Sequence, residues 1–182
     1  MQNSLSPHPP FAIVVCGPSG CGKTTVGKWI ANHLHCDFLE GDDYHSAHNV
    51  AKMKKGIPLT DDDRLPWLFT LHGLIRTSVA QGKTVVLSCS ALKRKYRDLL
   101  RGSDGDGKVY FVMLTTNAEV LRSRVGARKG HYMPASLVTS QLELLEPLSS
   151  DETGVQVCSE VSVEKTAKKV IHAMNLPFTS RL

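Results

Sequence analysis

Aromatic residues are scarce in this chain, where Phe, Trp and Tyr make up 6% of 182 residues. They do not alternate with the basic residues, which are dispersed, so the stacking platform of a nucleic-acid-binding domain is not expected. Lys and Arg exceed Asp and Glu only modestly, 22 against 17. This charge suits a protein that binds small anions such as nucleotides or sugar acids, with no nucleic-acid partner.

Cysteine pairs and long apolar runs are also missing. The five cysteines form no C-x-x-C pair, which is typical of free thiols in a reducing compartment and not of a zinc site or a disulfide framework. No apolar run approaches the length of a membrane span, and residues 1–10 have neither the basic start nor the apolar core of a signal peptide. We therefore expect a cytoplasmic protein with no membrane partner.

The chain length is typical of one domain. We expect a disordered tail over residues 1–10, a single domain over residues 11–176 and a second tail over residues 177–182. The final tripeptide, Ser180-Arg181-Leu182, differs from the peroxisomal address S-K-L only by Arg for Lys. It fits either an import signal for a peroxisome-type organelle or a chance terminus.

Short apolar, β-branched runs recur along the chain, and each precedes a stretch with helical periodicity. This alternation predicts an α/β fold with a parallel sheet flanked by helices. Asn117 and Ser162 are expected to cap two of the helices, and residues 102–107 to form a surface turn. The predicted strands are residues 11–16, 38–39, 84–89, 109–114 and 155–158.

Residues 17–24, Gly-Pro-Ser-Gly-Cys-Gly-Lys-Thr, match the P-loop pattern G-x-x-x-x-G-K-[ST] between a predicted strand and a predicted helix. Its backbone amides are expected to bind phosphate, Lys23 to reach the β- and γ-phosphates, Thr24 to ligate Mg²⁺ and Thr25 to contact the α-phosphate. The predicted ATP-binding residues are Gly17, Ser19, Gly20, Cys21, Gly22, Lys23, Thr24 and Thr25.

The P-loop alone does not distinguish a kinase from a GTPase or a motor ATPase. A GTPase should carry an N-K-x-D motif, which is absent, and a motor ATPase should carry an apolar strand that ends in Asp. The candidate strand, residues 84–89, ends without an acid. These absences favour a small-molecule kinase.

Acidic residues follow the second predicted strand, where an open α/β sheet binds ligands. Asp42 is therefore a candidate for orienting an acceptor hydroxyl and accepting its proton, although a solvated acidic loop fits the same residues. His45, Asn49 and Lys52 have i, i+4, i+7 spacing and would share one helix face, which fits either a grip on a polyhydroxylated anion or an ordinary wet face.

Three groups of basic residues are further candidates. Arg64 precedes Trp67 and could clamp a carboxylate, or the pair could belong to a helix start and the core. Lys93 and Arg97 share a helix face that either binds an anion or is solvated. Arg122, Arg124 and Arg128, followed by Lys129-Gly130-His131, fit either a lid that closes over ATP or a basic surface helix.

Taken in order, these motifs resemble the gluconokinase family of P-loop kinases. Further matching segments are Gly-Asp-Asp-Tyr-His at 41–45, Gly-Ile-Pro-Leu-Thr-Asp-Asp-Asp-Arg at 56–64, Cys-Ser-Ala-Leu-Lys at 89–93 and Gln-Leu-Glu at 141–143. The resemblance implies a nucleoside-monophosphate-kinase-like fold with a five-stranded parallel sheet and a lid. It also implies the reaction of ATP and D-gluconate to ADP and 6-phosphogluconate, which feeds the pentose phosphate pathway, with Mg²⁺ and in a homodimer.

The resemblance also implies roles for individual residues. Lys23, Asp42 and Arg128 would be catalytic, and Arg124 would bind ATP. Glu40 stands where relatives more often carry Asp, as the first acid of a pair that helps to hold the magnesium shell with Thr24. Substrate-binding positions would be Asp42, His45, Asn49, Lys52, Arg64, Arg97 and His131.

The alternatives to a gluconokinase are a kinase of shikimate or of a nucleoside monophosphate, and a non-catalytic nucleotide sensor.

Overall fold

The computed structural model describes residues 9–102, 109–127, 134, 136–159 and 162–175. The expectations for the two tails and for the Arg128 and His131 side chains lie outside these residues, as does most of the predicted turn at 102–107. Within the described ranges the chain forms five strands and seven α-helices. In chain order they are β1 Ala12–Cys16, α1 Lys23–Leu34, β2 Asp37–Glu40, a 3-10 helix Gly41–Tyr44, α2 Ala47–Lys54, α3 Asp61–Ala80, β3 Val85–Ser88, α4 Arg94–Arg101, β4 Val109–Thr115, α5 Ala118–Gly126, α6 Leu137–Glu143, β5 Gly154–Cys158 and α7 Val163–Ala173.

The strands form one parallel sheet in the order β2-β3-β1-β4-β5, which confirms the predicted α/β fold. In the centre, Val14 of β1 pairs with Leu87 of β3 on one side and with Phe111 of β4 on the other. The strand order therefore changes direction at β1: β2 and β3 lie on one side of it, and β4 and β5 lie on the other. Such a point leaves a crevice at the carboxyl ends of the strands, and the P-loop follows β1 at that crevice.

The side chains of β1 are buried on both faces of the sheet. Val14 belongs to a core with Leu68 and Leu71 of α3 and Leu100 of α4. Ile13, on the other face, belongs to a second core that α1, α5 and α7 cover. A strand buried on both faces needs a continuous apolar run, which is the pattern that residues 11–16 show in the sequence.

Side-chain caps fix where several helices begin. Asn117 accepts a hydrogen bond from the Glu119 amide and Ser162 from the Lys165 amide, which confirms both predicted caps. Thr60 and Asp63 form a reciprocal capping box at the start of α3. No helix in the described ranges is long and apolar enough to cross a membrane.

Candidate active site

The loop after β1 has the backbone geometry of a phosphate cradle. Gly17, Gly20 and Gly22 have φ angles of 133°, 85° and 97°. A Cβ at Gly17 would lie 2.4 Å from the Leu114 carbonyl oxygen, so only glycine fits there without a shift. Helix α1 begins directly afterwards, and its first turn contains no acid. The loop amides and the helix N-terminus therefore provide an electropositive site for an anion.

Two contacts position the P-loop against other parts of the chain. The Ser19 amide donates to Oε1 of Gln141 at 2.7 Å, and the Gly17 amide donates to the Ser90 carbonyl at 3.0 Å. Lys23 donates from Nζ to the Pro18 carbonyl at 3.0 Å, so the ammonium group folds back over the loop. The sequence singled out Gln141 only as part of a motif, and its role against Ser19 depends on a tertiary contact.

Thr24 and Glu40, the two candidate metal ligands, meet beside the P-loop. The Thr24 hydroxyl donates to Oε2 of Glu40 at 2.7 Å. The Ser88 hydroxyl donates to the other carboxylate oxygen and accepts from the Gly41 amide. A hydroxyl and a carboxylate next to a phosphate cradle are hard oxygen ligands, so this corner fits a divalent cation. Ser88, which orients Glu40, was not predicted.

A pocket opens on the β2–β3 side of the P-loop. It brings together five predicted site residues: Ser19, Lys23, Asp42, His45 and Arg64. The carboxylate and the P-loop ammonium thus share one concave site, as an acceptor pocket requires. The remaining lining residues are Met53, Pro58, Leu59, Ser90, Leu137, Ser140 and Gln141.

His45 enters this pocket as a neutral ring. It stacks on Trp67 with ring centroids 4.1 Å apart, and Trp67 donates from Nε1 to the Gly41 carbonyl at 2.8 Å. Burial lowers the pKa of His45 to about 4; the nearby Asp42 opposes this shift and Arg64 adds to it. Nδ1 of His45 is buried with no hydrogen-bond partner among the described residues. The ring therefore has a polar atom to offer a ligand.

Arg64 brings a buried cation to the same pocket. Its side chain is held by a 3.3 Å hydrogen bond from Nη2 to the Leu59 carbonyl and by the Tyr96 ring, whose centroid lies 5.7 Å from Cζ. Nε is buried and has no hydrogen-bond partner in the described part of the chain. A buried guanidinium with an unused donor is suited to an anionic ligand.

Asn49 and Lys52 contact the start of α3 and do not line the pocket. Asn49 donates from Nδ2 to the Asp63 carbonyl at 2.7 Å, and Lys52 Nζ lies 2.5 Å from Oδ2 of Asp63. Helix α2 begins at Ala47 behind the cap Ser46, so His45 precedes the helix and the predicted shared helix face is wrong. In this structure Asn49 and Lys52 hold the segment that carries Arg64.

Arg97 requires a correction, because the structure removes it from the ligand-accessible surface. Its side chain is fully buried and pairs with Glu152 through Nε–Oε1 and Nη2–Oε2 distances of 2.6 and 2.9 Å. Burial raises the pKa of Glu152, but hydrogen bonds from Arg97 and the Ser149 amide outweigh this and hold the pKa below its ordinary value. Arg97 also donates to four backbone carbonyls, those of Ala91, Leu92, Glu146 and Pro147.

Lys93, which was predicted to share a helix face with Arg97, is also engaged in an ion pair. Lys93 occupies the N-cap position of α4, and its Nζ lies 3.1 Å from Oδ1 of Asp61. Arg97 thus positions the turn after β3, where Ala91 has a φ of 38° and Ser90 lines the pocket. Helix α4 begins at Arg94, so Lys93 precedes it and the predicted shared helix face is wrong here too. The spacing also did not indicate that the Arg97 side chain points to the interior.

A second pocket opens on the β4–β5 side of the P-loop. Arg124 of α5 lies across it and donates to the carbonyls of Gly20 at 3.4 Å and Ser159 at 3.3 Å. Thr25, predicted to contact nucleotide, lines the same pocket. Sequence reasoning missed the residues after β5, although the edge-of-sheet rule that identified Asp42 applies to them equally. The other lining residues are Gly20, Cys21, Gly22, Val26, Ser159, Val163 and Thr166.

Comparison with known proteins supports this arrangement over nearly the whole chain. Residues 13–148 match the family model described as an AAA domain. The probable gluconokinase of Mus musculus is 42% identical over 180 residues, which cover 91% of this chain and 98% of the mouse protein. A solved sugar kinase from Janibacter sp. superposes with a TM-score of 0.86 at 41% identity, covering 92% of this chain and 96% of the other. A solved gluconokinase from Sinorhizobium meliloti superposes with a TM-score of 0.81 at 41% identity, with coverages of 92% and 93%.

The parallel sheet, the P-loop and the pockets on its two sides define a P-loop kinase of small molecules. Identity above 40% over most of both chains narrows this class further. The chain belongs to the gluconokinase family.

Proposed function

We propose that this enzyme transfers the γ-phosphoryl group of ATP to the 6-hydroxyl of D-gluconate, giving ADP and 6-phospho-D-gluconate. The observation that carries the proposal is the pocket that contains Lys23, Asp42 and the buried guanidinium of Arg64. Gluconate has a carboxylate at one end and a primary alcohol at the other. A cation with an unused donor and a carboxylate beside a phosphate cradle complement these two ends.

The transfer is direct and in line. Loop amides and Lys23 bind the phosphates of ATP, whose base occupies the pocket beside Arg124. Asp42 orients the 6-hydroxyl and accepts its proton as the new P–O bond forms. Arg64 pairs with the gluconate carboxylate, and the neutral His45 exchanges hydrogen bonds with its secondary hydroxyls. Fixing both reactants at the P-loop supplies the positional part of the rate enhancement.

Mg²⁺ is the metal that we propose for the corner formed by Thr24 and Glu40. When bound, it would neutralise charge on the β- and γ-phosphate oxygens. Ser88 keeps the Glu40 carboxylate facing Thr24, so this glutamate would supply the carboxylate ligand of the proposed Mg²⁺ site.

Several predicted roles remain proposals. Arg128 would stabilise charge on the transferred phosphoryl group from the lid, and His131 would contact gluconate. Asn49 and Lys52 would reach gluconate only by leaving Asp63. A homodimer, a cytoplasmic or peroxisome-type location and a role in supplying the pentose phosphate pathway are proposed on the family resemblance.

The proposal is tested by an ADP-release assay with gluconate, shikimate and nucleoside monophosphates as acceptors. We expect turnover with gluconate, and Asp42→Asn should lower kcat by about 10²–10⁴-fold with little change in ATP affinity measured calorimetrically. Asp43→Asn is the matched control, since Asp43 is exposed and does not line the pocket. If the enzyme preferred another acceptor, the proposal that gluconate is the substrate would be refuted. Near-normal turnover by Asp42→Asn would refute the proposal that Asp42 orients the hydroxyl and accepts its proton.

A further inference from the structure

A tyrosine lies directly behind the guanidinium of Arg64. Tyr96 of α4 is 2% exposed and does not line the pocket of Asp42 and Arg64, the proposed acceptor pocket. The Cζ atom of Arg64 lies over the tyrosine ring, 5.7 Å from its centroid, and the tyrosine hydroxyl donates to Oδ1 of Asp61. Asp61 and Arg64 are three residues apart on α3 and are neighbours on the helix surface. One face of α3 therefore contacts both the ring and the hydroxyl of Tyr96.

Three cations surround the Tyr96 ring, and the acid beside them pairs with two. Nζ of Lys93 lies 5.7 Å from the ring centroid and Nζ of Lys95 lies 6.0 Å from it. Both lysines form ion pairs with Asp61. Arg64 is only 6% exposed, yet it forms no ion pair within the described part of the chain. The charge of Arg64 is thus the one that a ligand can neutralise.

An aromatic ring and an acid hold a buried guanidinium in different ways. An acid neutralises the cation and occupies its N–H donors, whereas a ring attracts the cation through its π electrons and leaves the in-plane donors available. Arg64 donates from Nη2 to the Leu59 carbonyl at 3.3 Å, and its buried Nε has no partner among the described residues. The Tyr96 ring therefore stabilises the cation while its charge and its Nε–H remain available to a ligand.

The hydrogen bond that anchors the ring has a defined donor and acceptor. Burial and the bond to Asp61 raise the pKa of Tyr96 above its ordinary value, and the Arg64 charge opposes this shift. Hydrogen bonds from Lys95, Tyr96 and Lys93 hold the pKa of Asp61 below its ordinary value. At neutral pH the phenol therefore donates and the carboxylate accepts.

We propose that Tyr96 is a positioning residue for the acceptor: its ring, anchored by Asp61, holds the Arg64 guanidinium in the geometry that binds the carboxylate of a sugar acid. Tyr96 acts through Arg64 and does not line the pocket itself. The inference rests on the proposed function, in which Arg64 pairs with the gluconate carboxylate. An acid in place of the ring would compete with that carboxylate for the same donors.

A double-mutant cycle on kcat/KM for gluconate tests the proposal. Tyr96→Leu should raise the gluconate KM about tenfold with little change in kcat, because the ring is lost while the reacting groups keep their places. In an Arg64→Met background the same change should alter kcat/KM by less than about twofold, since no guanidinium is left to position. Equal effects in the two backgrounds would show that Tyr96 only packs, and would overturn the proposal.

Two further variants separate the ring from the hydroxyl and from a general loss of packing. Tyr96→Phe keeps the ring and loses the anchor, so its gluconate KM should stay within about threefold of wild type. A rise as large as that of Arg64→Met would contradict a role for the ring. Tyr110→Leu is the matched control: Tyr110 contacts Phe11 near the amino end of β4, far from the crevice, and its change should leave the gluconate KM unaltered.

Side-chain NMR of the free protein tests the contact without any acceptor. The Nε–H signal of Arg64, assigned by its absence from Arg64→Met, should exchange with water at least about tenfold faster in Tyr96→Leu than in wild type or Tyr96→Phe. Unchanged exchange in Tyr96→Leu would overturn the proposal. A wild-type enzyme that does not phosphorylate gluconate would instead refute the proposed function, and the exchange rates would still decide whether Tyr96 holds Arg64.

Discussion

Replacing Arg97 tests whether the buried guanidinium acts on the fold or on the substrate. Arg97→Met removes the buried ion-pair partner of Glu152, whose side chain is only 1% exposed, and takes one donor from each of four carbonyls. Among the described residues, Glu152 then keeps only the Ser149 amide as a close donor, and the Leu92 carbonyl keeps the Glu146 amide. Breaking a buried pair from one side costs about 3–5 kcal/mol. For a chain of this size that loss lowers the melting temperature by roughly 10 °C.

The conservative variant sharpens this prediction. Arg97→Lys keeps the charge, but an ammonium group has three donors and no planar fork, so it cannot satisfy Glu152 and all four carbonyls. We expect about half of the loss of Arg97→Met. Arg97→Met combined with Glu152→Leu should recover part of the stability, because no buried charge is then left unpaired.

Arg64→Met is the matched comparison. Among the residues that the structure describes, Arg64 donates one hydrogen bond, at 3.3 Å to the Leu59 carbonyl, and forms no ion pair. Its loss should therefore cost less than about 1 kcal/mol in the free energy of unfolding. Its effect should fall on the acceptor, with at least a tenfold rise in KM for gluconate. Urea denaturation with linear extrapolation, followed by steady-state kinetics, measures both quantities. If Arg97→Met were as stable as wild type and raised the gluconate KM, the structural assignment of Arg97 would be refuted.

Two further predictions concern the pocket and the metal corner. His45 has a pKa of about 4 in the folded chain, whereas the unfolded chain, with an ordinary His pKa, binds the proton first as the pH falls. The free energy of unfolding should therefore drop by about 2 kcal/mol between pH 7 and pH 5, and the difference between wild type and His45→Asn in urea titrations isolates this contribution. Glu40→Gln should weaken Mg²⁺-dependent ATP binding about tenfold or more in calorimetric titrations, while binding without metal is unchanged; an unaltered Mg²⁺ dependence would remove Glu40 from the metal site.

Local patterns predicted the sheet and the cradle well. The apolar run at residues 11–16 is typical of a buried strand, and the glycine motif that follows it is typical of a phosphate-binding loop. Both β1 and the P-loop could therefore be predicted without knowledge of tertiary contacts. The caps Asn117 and Ser162 act within three residues and were equally accessible. The edge-of-sheet rule predicted that Asp42 lies in a cleft beside the P-loop, where the structure has it.

Errors arose where the partner is remote in sequence. Arg97 meets Glu152, which lies 55 residues further along the chain, and helical spacing does not encode this pairing. Ser88 next to Glu40 and Gln141 next to Ser19 are likewise joined only by the fold. Ser46 shows a local failure of a different kind, because this N-cap starts α2 at Ala47 and leaves His45 outside the helix.

Because of the strand order, different segments of the chain form the two pockets. The proposed acceptor pocket is formed by chain segments around residues 42–64, 90 and 137–141, and the proposed nucleotide pocket by segments around residues 124 and 159–166. They share the glycine loop at the centre of the sheet. We therefore expect an exchange of residues 41–64 to change the acceptor preference and to leave the proposed nucleotide pocket unaltered.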